Sequence, residues 1–528
     1  MEATTGSVRR LFLGLTLTLA IGLHGCHALP TPPAPTSAFP TPQTVEATPQ
    51  TLAQTTSLPA PLPTSRPTFY DYANWATQTL LHGFYHDAGW RTCALPTCKS
   101  VNHDWGADSL TYTLYLRWLA SHDPSLVTYF EGLVSTLPQY PPPCHGISGF
   151  TCTWSDAPQW DVVAALRTYE VTGKNPIALD RAIKAFATVE GSTIYTGGVC
   201  PAIRYQQPFA YLDHLKTLET EATAVKAALL LYRFTGAKRY LTIAIERYAN
   251  VRRYFLDANQ PLYTVFVFDA FRRCAPLAHR FFASVNGEMI SDGLMLYHRT
   301  GNAHYRGQAL ATAHAVDAKL SDARGVFADL LADNDIVEPL VEAMFALATT
   351  ERADFARAWL LRNAEATASA RKPDGTYGRF FDGPPAPGTV TAWQTNGGFS
   401  LMIAAAAIAP AATPAQPAAW GRARLVKHTI LIPDATLRFT GSGIALIGTL
   451  GDFIPQPGHA RVFIDGVETF NGTGIWQNST SSLMRLPGTV LFAWRWPTSG
   501  SHVLTFRPGI FNPKEGGPYL HVTSYFVE

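Results

Sequence analysis

A chain of 528 residues has room for two or three domains, and a net charge of +2 gives no basic excess of the kind that nucleic acid or another strongly acidic partner would require. The apolar fraction is ordinary and only 15% of residues are charged, while 12% are aromatic. That aromatic content suits flat surfaces that hold sugar rings, and it suits a large helical core equally well. No cofactor motif is visible, none is expected to be needed, and the chain is expected to be a monomer.

Residues 1–28 have the pattern of an export signal. Arg9-Arg10 supply positive charge, and the apolar run from Leu11 to Leu23 is too short for an ordinary membrane span. Leu23-His24-Gly25-Cys26 resembles a bacterial lipoprotein processing site, with His24 out of pattern, and so predicts lipidation at Cys26. Arg9-Arg10-Leu11-Phe12-Leu13 also resembles a short twin-arginine signal. A spare cysteine in a cleaved signal is the alternative. Residues 29–66 are rich in Pro, Thr, Ala and Ser, cannot bury a core and behave as an extended tether. A tether behind a lipidated cysteine predicts an extracellular or cell-surface bacterial protein whose contact with membrane is the anchor alone.

Six further cysteines, Cys93, Cys98, Cys144, Cys152, Cys200 and Cys274, are an even number downstream of that signal and suggest up to three disulfides. The close pairs are Cys93 with Cys98 and Cys144 with Cys152, which leaves Cys200 with Cys274. The competing reading is zinc, because Cys144-His145-Gly146 echoes a ligand triplet of lanthionine-forming cyclases. No second matching cysteine motif supports it, so no metal is assigned.

From 67 to 409 apolar residues recur at three- and four-residue spacing. The pattern predicts about twelve helices, near 69–85, 105–121, 125–137, 156–172, 175–189, 215–235, 237–256, 285–300, 302–320, 334–350, 352–370 and 391–408. One boundary repeats: Tyr169…Thr172-Gly173, Tyr232…Thr235-Gly236 and Tyr297…Thr300-Gly301, with glycines 63 and 65 residues apart. Each glycine would end a helix in the left-handed conformation and let the next begin. Six such hairpins closing on themselves predict an (α/α)6 toroid whose inner helices line a cleft. Tyr263 to Phe268 reads as a strand inside a connection. Residues 410–419 read as a second linker, and from Trp420 to residue 528 the period becomes two, which predicts a small antiparallel β-sandwich. Asp465-Gly466 reads as a hairpin turn, while Trp476, Trp494 and Trp496 either stack on sugar or fill the core.

The stretch Trp154-Ser155-Asp156-Ala157-Pro158-Gln159-Trp160-Asp161 opens one of these helices and sets a carboxylate between two tryptophans. Glycosidic chemistry needs an acid to protonate the leaving oxygen and apolar faces for the ring. The structural alternative is that Ser155 is an N-cap, Asp156 favours the positive helix end and Pro158 is tolerated in the first turn.

The region from about 100 to 350 resembles glycoside hydrolase family 76, the endo-α-1,6-mannanases. That family opens an inner helix with two adjacent aspartates and an aromatic a few positions on, then ends it with Tyr…Thr-Gly and restarts with Tyr-Leu. Here Ser155-Asp156-Ala157-Pro158-Gln159-Trp160 stands at the matching distance before Thr172-Gly173. The resemblance places Asp156 at the acid/base position and Ser155 where the family has its nucleophile. A hydroxyl cannot stabilise an oxocarbenium-like centre as a carboxylate does, so the two-carboxylate mechanism is incomplete at this pair. The family's Lys-Asn…Asn falls on Lys216, Thr217 and Glu221, and its Tyr-Asn-Gln-Gly on Ser284, Val285, Asn286 and Gly287. Asn102 to Asp108 lies where the family lines its first inner helix. The substrate-binding candidates that follow are Trp105, Asp108, Trp154, Trp160, Lys216 and Asn286.

Asp104, Asp108, Asp161, Glu219, Glu221 and Asp292 are the other carboxylates on inner helices or their mouths. Glu219 and Glu221, near the start of the next inner helix, are the candidates to face Asp156 as the second carboxylate; the bland reading of each is a solvated or salt-bridged side chain. The C-terminal pattern Gly443 to Gly448, Val462 to Gly466 and Ser499 to His502 resembles galactose-binding-like jelly-roll modules appended to secreted glycosidases. These features predict a secreted or surface-anchored glycosidase of α-linked mannan or a related polysaccharide. The alternative is a non-catalytic glycan-binding lipoprotein on the same scaffold. A weaker third reading is another toroid enzyme, an unsaturated glucuronyl hydrolase or a sugar epimerase, the latter lacking the paired histidines it needs.

Overall fold

The computed structural model describes residues 66–528 apart from 88, 95–104, 137–153, 207–213, 271, 277–279, 331–334, 386–387, 389, 416–419, 421–422, 432–434, 451–458, 470–474, 477–484 and 509–519. The export signal, Cys26, the tether, Asp104, the Cys144–His145 motif and the partners Cys98 and Cys152 lie outside the described residues.

Twelve α-helices are described: α1 (Phe69–Phe84), α2 (Trp105–Ser121), α3 (Val127–Thr136), α4 (Ala157–Val171), α5 (Pro176–Glu190), α6 (Leu218–Thr235), α7 (Lys238–Tyr254), α8 (Ala283–Thr300), α9 (Ala303–Lys319), α10 (Glu338–Thr349), α11 (Asp354–Ser369) and α12 (Ala392–Ile408). Their ends follow local chemistry. Thr68 with Asp71 and Thr391 with Gln394 form reciprocal capping boxes, and the Asn175 and Asn302 side chains each accept from an amide two residues on. Gly173, Gly236 and Gly301 have φ of 69°, 70° and 73°, the left-handed termini expected of the repeated Thr-Gly.

Burial separates two kinds of helix. Every position of α6 from Leu218 to Leu229 and of α12 from Ala392 to Ala406 is buried, whereas α7 buries one face through Tyr240, Ala244, Arg247, Tyr248 and Val251. The all-buried kind packs in a closed cycle, α2 on α4, α4 on α6, α6 on α8, α8 on α10, α10 on α12 and α12 back on α2. Helices α5, α7, α9, α11 and α1 flank α4, α6, α8, α10 and α12 in turn. A cycle of six inner helices, five of them with a flanking helix named here, is compatible with the six-hairpin reading of the sequence. At the α8–α10 contact a Cβ on Gly287 would stand 2.3 Å from the Leu340 amide nitrogen, which is backbone and cannot rotate away. Gly287→Ala therefore costs about 1–3 kcal/mol through overpacking, despite the better helix propensity of alanine. An unchanged denaturation midpoint would mean that the helices do not approach so closely.

The strands are β1 (Tyr85–His86) with β2 (Gly89–Trp90), then β3 (Leu215–Thr217), β4 (Phe266–Ala270) and β5 (Arg273–Pro276), which form an antiparallel sheet in that order. The C-terminal region contributes β6 (Arg424–Leu431), β7 (Thr436–Leu450), β8 (His459–Ile464), β9 (Val467–Glu468), β10 (Ile475–Trp476), β11 (Leu486–Pro508) and β12 (His521–Val527). Among the described residues these seven strands are one antiparallel ladder, β10-β8-β11-β7-β12-β6 with β9 on β8. The long strands β7 and β11 are broken by register shifts, and β11 pairs with β7 along most of its length and with β8 through its last residues. Asp465 and Gly466 take positive φ of 50° and 83° between β8 and β9, as a two-residue hairpin requires. Trp494 and Trp496 are half-buried, and Trp496 stacks on His502 at 3.8 Å between centroids. The Trp476 side chain lies outside the described residues.

The sheet is held to the helices by a buried ionic cluster. Arg495 of β11 donates to Asp382 at 2.8 Å, and Arg324 donates to the other oxygen of the same carboxylate. Arg495 also pairs with the Glu528 carboxylate, and Trp420 Nε1 donates to the Asp382 carbonyl at 2.9 Å. The described part of the 410–419 segment does not behave as a free linker. The Phe69 and Tyr70 amides donate to the Ala412 and Pro410 carbonyls, and Arg66 donates to Pro414. No helix among the described residues is long and apolar enough to cross a membrane.

Candidate active site

Helices α4, α6, α8, α10 and α12 bring their N-terminal ends to the same mouth of the cycle, and that mouth is acidic. Asp156 is the N-cap residue of α4, with Pro158 two residues on in the first turn, and is only 8% exposed. Ser155 was the expected cap. It is instead fully buried, donates to the Tyr205 carbonyl at 2.8 Å and shares a 2.5 Å hydroxyl contact with Thr220 of α6. Those bonds pin the start of α4 to the neighbouring helix and commit the hydroxyl to structure.

Glu219 is the second residue of α6. Thr217 caps that helix by accepting from the Glu219 amide at 3.1 Å, and its hydroxyl lies 3.3 Å from the Glu219 carboxylate. Burial pushes the Glu219 carboxyl well above the usual carboxylate range, and the negative charges of Asp156 and Asp335 add to the shift. Asp335 caps α8 from outside it, accepting from the Ala283 and Ser284 amides at 2.8 and 3.1 Å and from the Ser284 hydroxyl at 3.1 Å. Burial still raises it to about 7, against those bonds and the charge of Arg379. Glu338 opens α10 fully buried, and burial raises it to about 8 against a bond from Asn396. Four carboxyl groups thus gather where not all can ionise, and such a cluster keeps protons at neutral pH.

Several sequence candidates are placed elsewhere. Glu221 does not face Asp156. It turns outward, accepts from the Arg204 amide at 2.7 Å and pairs with Arg247. Lys216 is completely buried and is not a sugar ligand, since its ammonium donates to the Gly197, Cys200 and Ile203 carbonyls at 2.6–2.8 Å and pairs with Asp269 at 3.2 Å. Asn286 is equally committed, accepting from the Tyr263 amide at 2.9 Å and donating to the Tyr263 and Phe282 carbonyls. Trp160 is a core residue, edge-on to Tyr112 at 6.0 Å, while Trp154 at 48% exposure stands at the rim. Asp108 and Asp161 are buried on α2 and α4. Asp292 lies deep in α8, where burial and the charge of Glu288 raise its carboxyl far above the ordinary range. Trp105 begins α2, and its side chain lies outside the described residues.

Asp335, Glu338 and Arg379 were not anticipated. Glu338-Pro339 at a helix start was the one local signal available, because proline marks a first turn. Asp335 comes from the connection before α10 and carries no periodic signature. Cys200 and Cys274 form the disulfide expected of them, with Cα atoms 5.7 Å apart, and Cys93 is buried. Among the described residues no three His, Cys, Asp or Glu side chains are grouped to hold a metal ion.

No family model and no curated protein matches this sequence. Solved structures do. An inactive variant of the family 76A α-1,6-mannanase of Salegentibacter sp. HEL1_6, with two aspartates of consecutive number replaced and α-1,6-mannotetrose bound, superposes with a TM-score of 0.55 at 18% identity, over 64% of this chain and 99% of that one. A family 76 α-mannanase of Bacteroides thetaiotaomicron gives 0.53 at 16% identity, over 65% and 96%. A second family 76 protein of that organism, described as a mannosidase, gives 0.53 at 15%, over 64% and 98%. With the six-membered cycle and the acidic mouth already in view, the helical part of this chain has the fold of the glycoside hydrolase family 76 α-mannanases.

Proposed function

We propose that this protein is a glycoside hydrolase of α-linked mannan or a related polysaccharide, working at the mouth of an (α/α)6 toroid. The observation that carries the reading is the placement of two buried carboxyl groups at the N-terminal ends of adjacent inner helices, Asp156 at the N-cap of α4 and Glu219 in the first turn of α6. Glycoside hydrolysis asks for one protonated and one ionised carboxyl group across the scissile bond. Asp156 stands at the positive end of α4, which favours its charge. Glu219 is the partner whose proton is held, by burial and by that charge. The proposed roles are therefore Glu219 as the acid and Asp156 as the carboxylate that stabilises the oxocarbenium-like centre or activates water. This reverses the acid role expected for Asp156 from its sequence position. Trp154 at the rim supplies an apolar face for a ring, and Asp335 keeps the Glu219 proton in place.

One observation favours a second reading. The Ser155 hydroxyl is bound into the structure, and the sequence resemblance puts this residue where the family has its nucleophile, so a glycan-binding protein without turnover is the alternative. In either case the proposed setting is the cell surface, through a lipid on Cys26, with the C-terminal sheet as a candidate glycan-binding module. Reducing-end release from a panel of α-mannans and other polysaccharides, with wild type and Asp156→Asn, decides between them. The hydrolase reading expects release by wild type and a loss of roughly 10²-fold or more in the variant. Glycan binding with no release by either protein leaves the binding reading.

A further inference from the structure

Lys216 is not a sugar ligand, yet its bonds lead to both carboxyl-bearing helix starts. Its backbone belongs to β3, where it pairs with Val267 of β4, and the next residue is Thr217, the cap of α6. The Leu218 amide that follows donates to the Val265 carbonyl at 2.8 Å. The Lys216 backbone is therefore fixed in the frame of α6 and Glu219.

The side chain reaches from that frame into the preceding connection. Its ammonium donates to the Gly197, Cys200 and Ile203 carbonyls at 2.8, 2.6 and 2.7 Å and stands 4.2 Å over the Tyr205 ring. Carbonyls three residues apart converge on one atom, so residues 197–203 wrap the ammonium. Lysine suits this arrangement, with three donors on one compact charge and no acceptor. The same connection then meets α4. The Ser155 hydroxyl donates to the Tyr205 carbonyl at 2.8 Å, and the Ser155 amide donates to the Gln206 carbonyl at 3.0 Å. Ser155 is the residue before Asp156, so the contacts run from Glu219 through Thr217 and Lys216 to residues 197–206, Ser155 and Asp156.

A buried lysine of this kind is ordinarily a fastener for its loop. Here each end of what it fastens carries a proposed reacting group, and the separation of two carboxyl groups decides whether they can act across one glycosidic bond. We infer that Lys216 is a positioning residue for the proposed hydrolysis, holding the start of α4, and with it Asp156, in place relative to Glu219. The inference rests on the roles given to those two carboxyl groups.

The test compares wild type, Ser155→Ala and the double variant Lys216→Met with Asp269→Leu, which removes the ammonium without orphaning its carboxylate. Hydrogen exchange follows the Ser155, Gln159 and Trp160 amides, the last two of which donate to the Asp156 carbonyl at 2.9 and 3.1 Å. Steady-state rates are measured on an α-1,6-linked mannan. Both variants are expected to exchange faster than wild type at those amides, with the start of α12 unchanged. In each, kcat is expected to fall by about tenfold or more while KM moves by less than about threefold, because misalignment acts on the reacting geometry rather than on ring binding. A lysine that only stabilises predicts otherwise, since the molecules that remain folded then turn over at the wild-type rate. Unchanged exchange at these amides overturns the inference, and so does a wild-type kcat in Ser155→Ala, whether or not the double variant folds. If wild type itself releases no reducing ends, the hydrolase reading falls, and exchange alone then decides whether Lys216 sets the start of α4.

Discussion

Glu219→Gln lowers kcat on a cleavable α-mannan by about 10²- to 10⁴-fold, the range over which a general acid contributes, while leaving the protein folded. The amide keeps the shape and the Thr217 contact but has no proton of the required acidity to give. The pH dependence has a definite sign. The Glu219 carboxyl in the folded protein holds its proton above the ordinary 4.5, so the protonated form that the proposed acid role needs is present at low pH and lost as pH rises through the folded value. Stability moves the same way. Above the ordinary value the unfolded chain has released this proton and the folded protein has not, so Glu219 subtracts stability as pH rises through that window. Glu219→Gln removes the ionisation and the repulsion from Asp156, so it should be at least as stable as wild type near neutrality. Steady-state rates over a pH series, with denaturant melts of both proteins, check this together. A Gln variant with wild-type turnover and an unmoved alkaline limb would remove Glu219 from the chemistry.

Asp269→Ala destabilises the folded protein by about 3–5 kcal/mol, the usual consequence of removing one member of a buried ion pair. Both side chains of the Lys216–Asp269 pair are completely shielded from water. Asp269 also accepts from the Val199 and Cys200 amides at 2.7 and 3.2 Å and from the Tyr205 hydroxyl at 3.1 Å. Asp269 lies opposite Cys274 in the β4–β5 pairing, and Cys274 is bonded to Cys200, so the carboxylate on β4 and the disulfide on β5 fasten the same connection onto this strand pair. Alanine leaves an ammonium and several donors buried without their acceptor. The double variant Lys216→Met with Asp269→Leu removes both charges and should recover much of the loss, because the cost lies in the orphaned partner. Chemical denaturation of the two single variants and the double variant closes the cycle. A double variant as unstable as the sum of the singles would mean that the pair is not coupled.

These two residues also mark where sequence reading stopped. The helices, their Thr-Gly ends and the change to period two at Trp420 were legible because capping, left-handed glycine and alternation are local properties. Glu219 could be named as a candidate because it falls in the first turn of an inner helix after a Thr cap. Glu221, two residues on, had the same sequence credentials and faces the other way, since two residues on a helix point about 200° apart. Lys216 sat at a plausible ligand position, but its acceptors are three carbonyls of the preceding loop, which no periodicity announces. Asp335 reaches the site by capping a helix more than fifty residues earlier in the chain, a relation that only the closed cycle creates. The rule that fails in each case is the same: spacing gives the face of a helix, and the neighbours decide what that face meets.

The Asp382–Arg495 contact has a consequence for how a polymer would meet this protein. Both side chains are about 5% exposed, so a buried ion pair fastens the sheet to the connection before α12. A module on a flexible leash raises the local concentration of its ligand over a whole volume, whatever the ligand's shape. A module bolted in place offers a second contact at one fixed offset. It adds avidity only for chains long and stiff enough to span that offset, and gives short oligosaccharides nothing. Any gain from the sheet should therefore appear as a threshold in chain length.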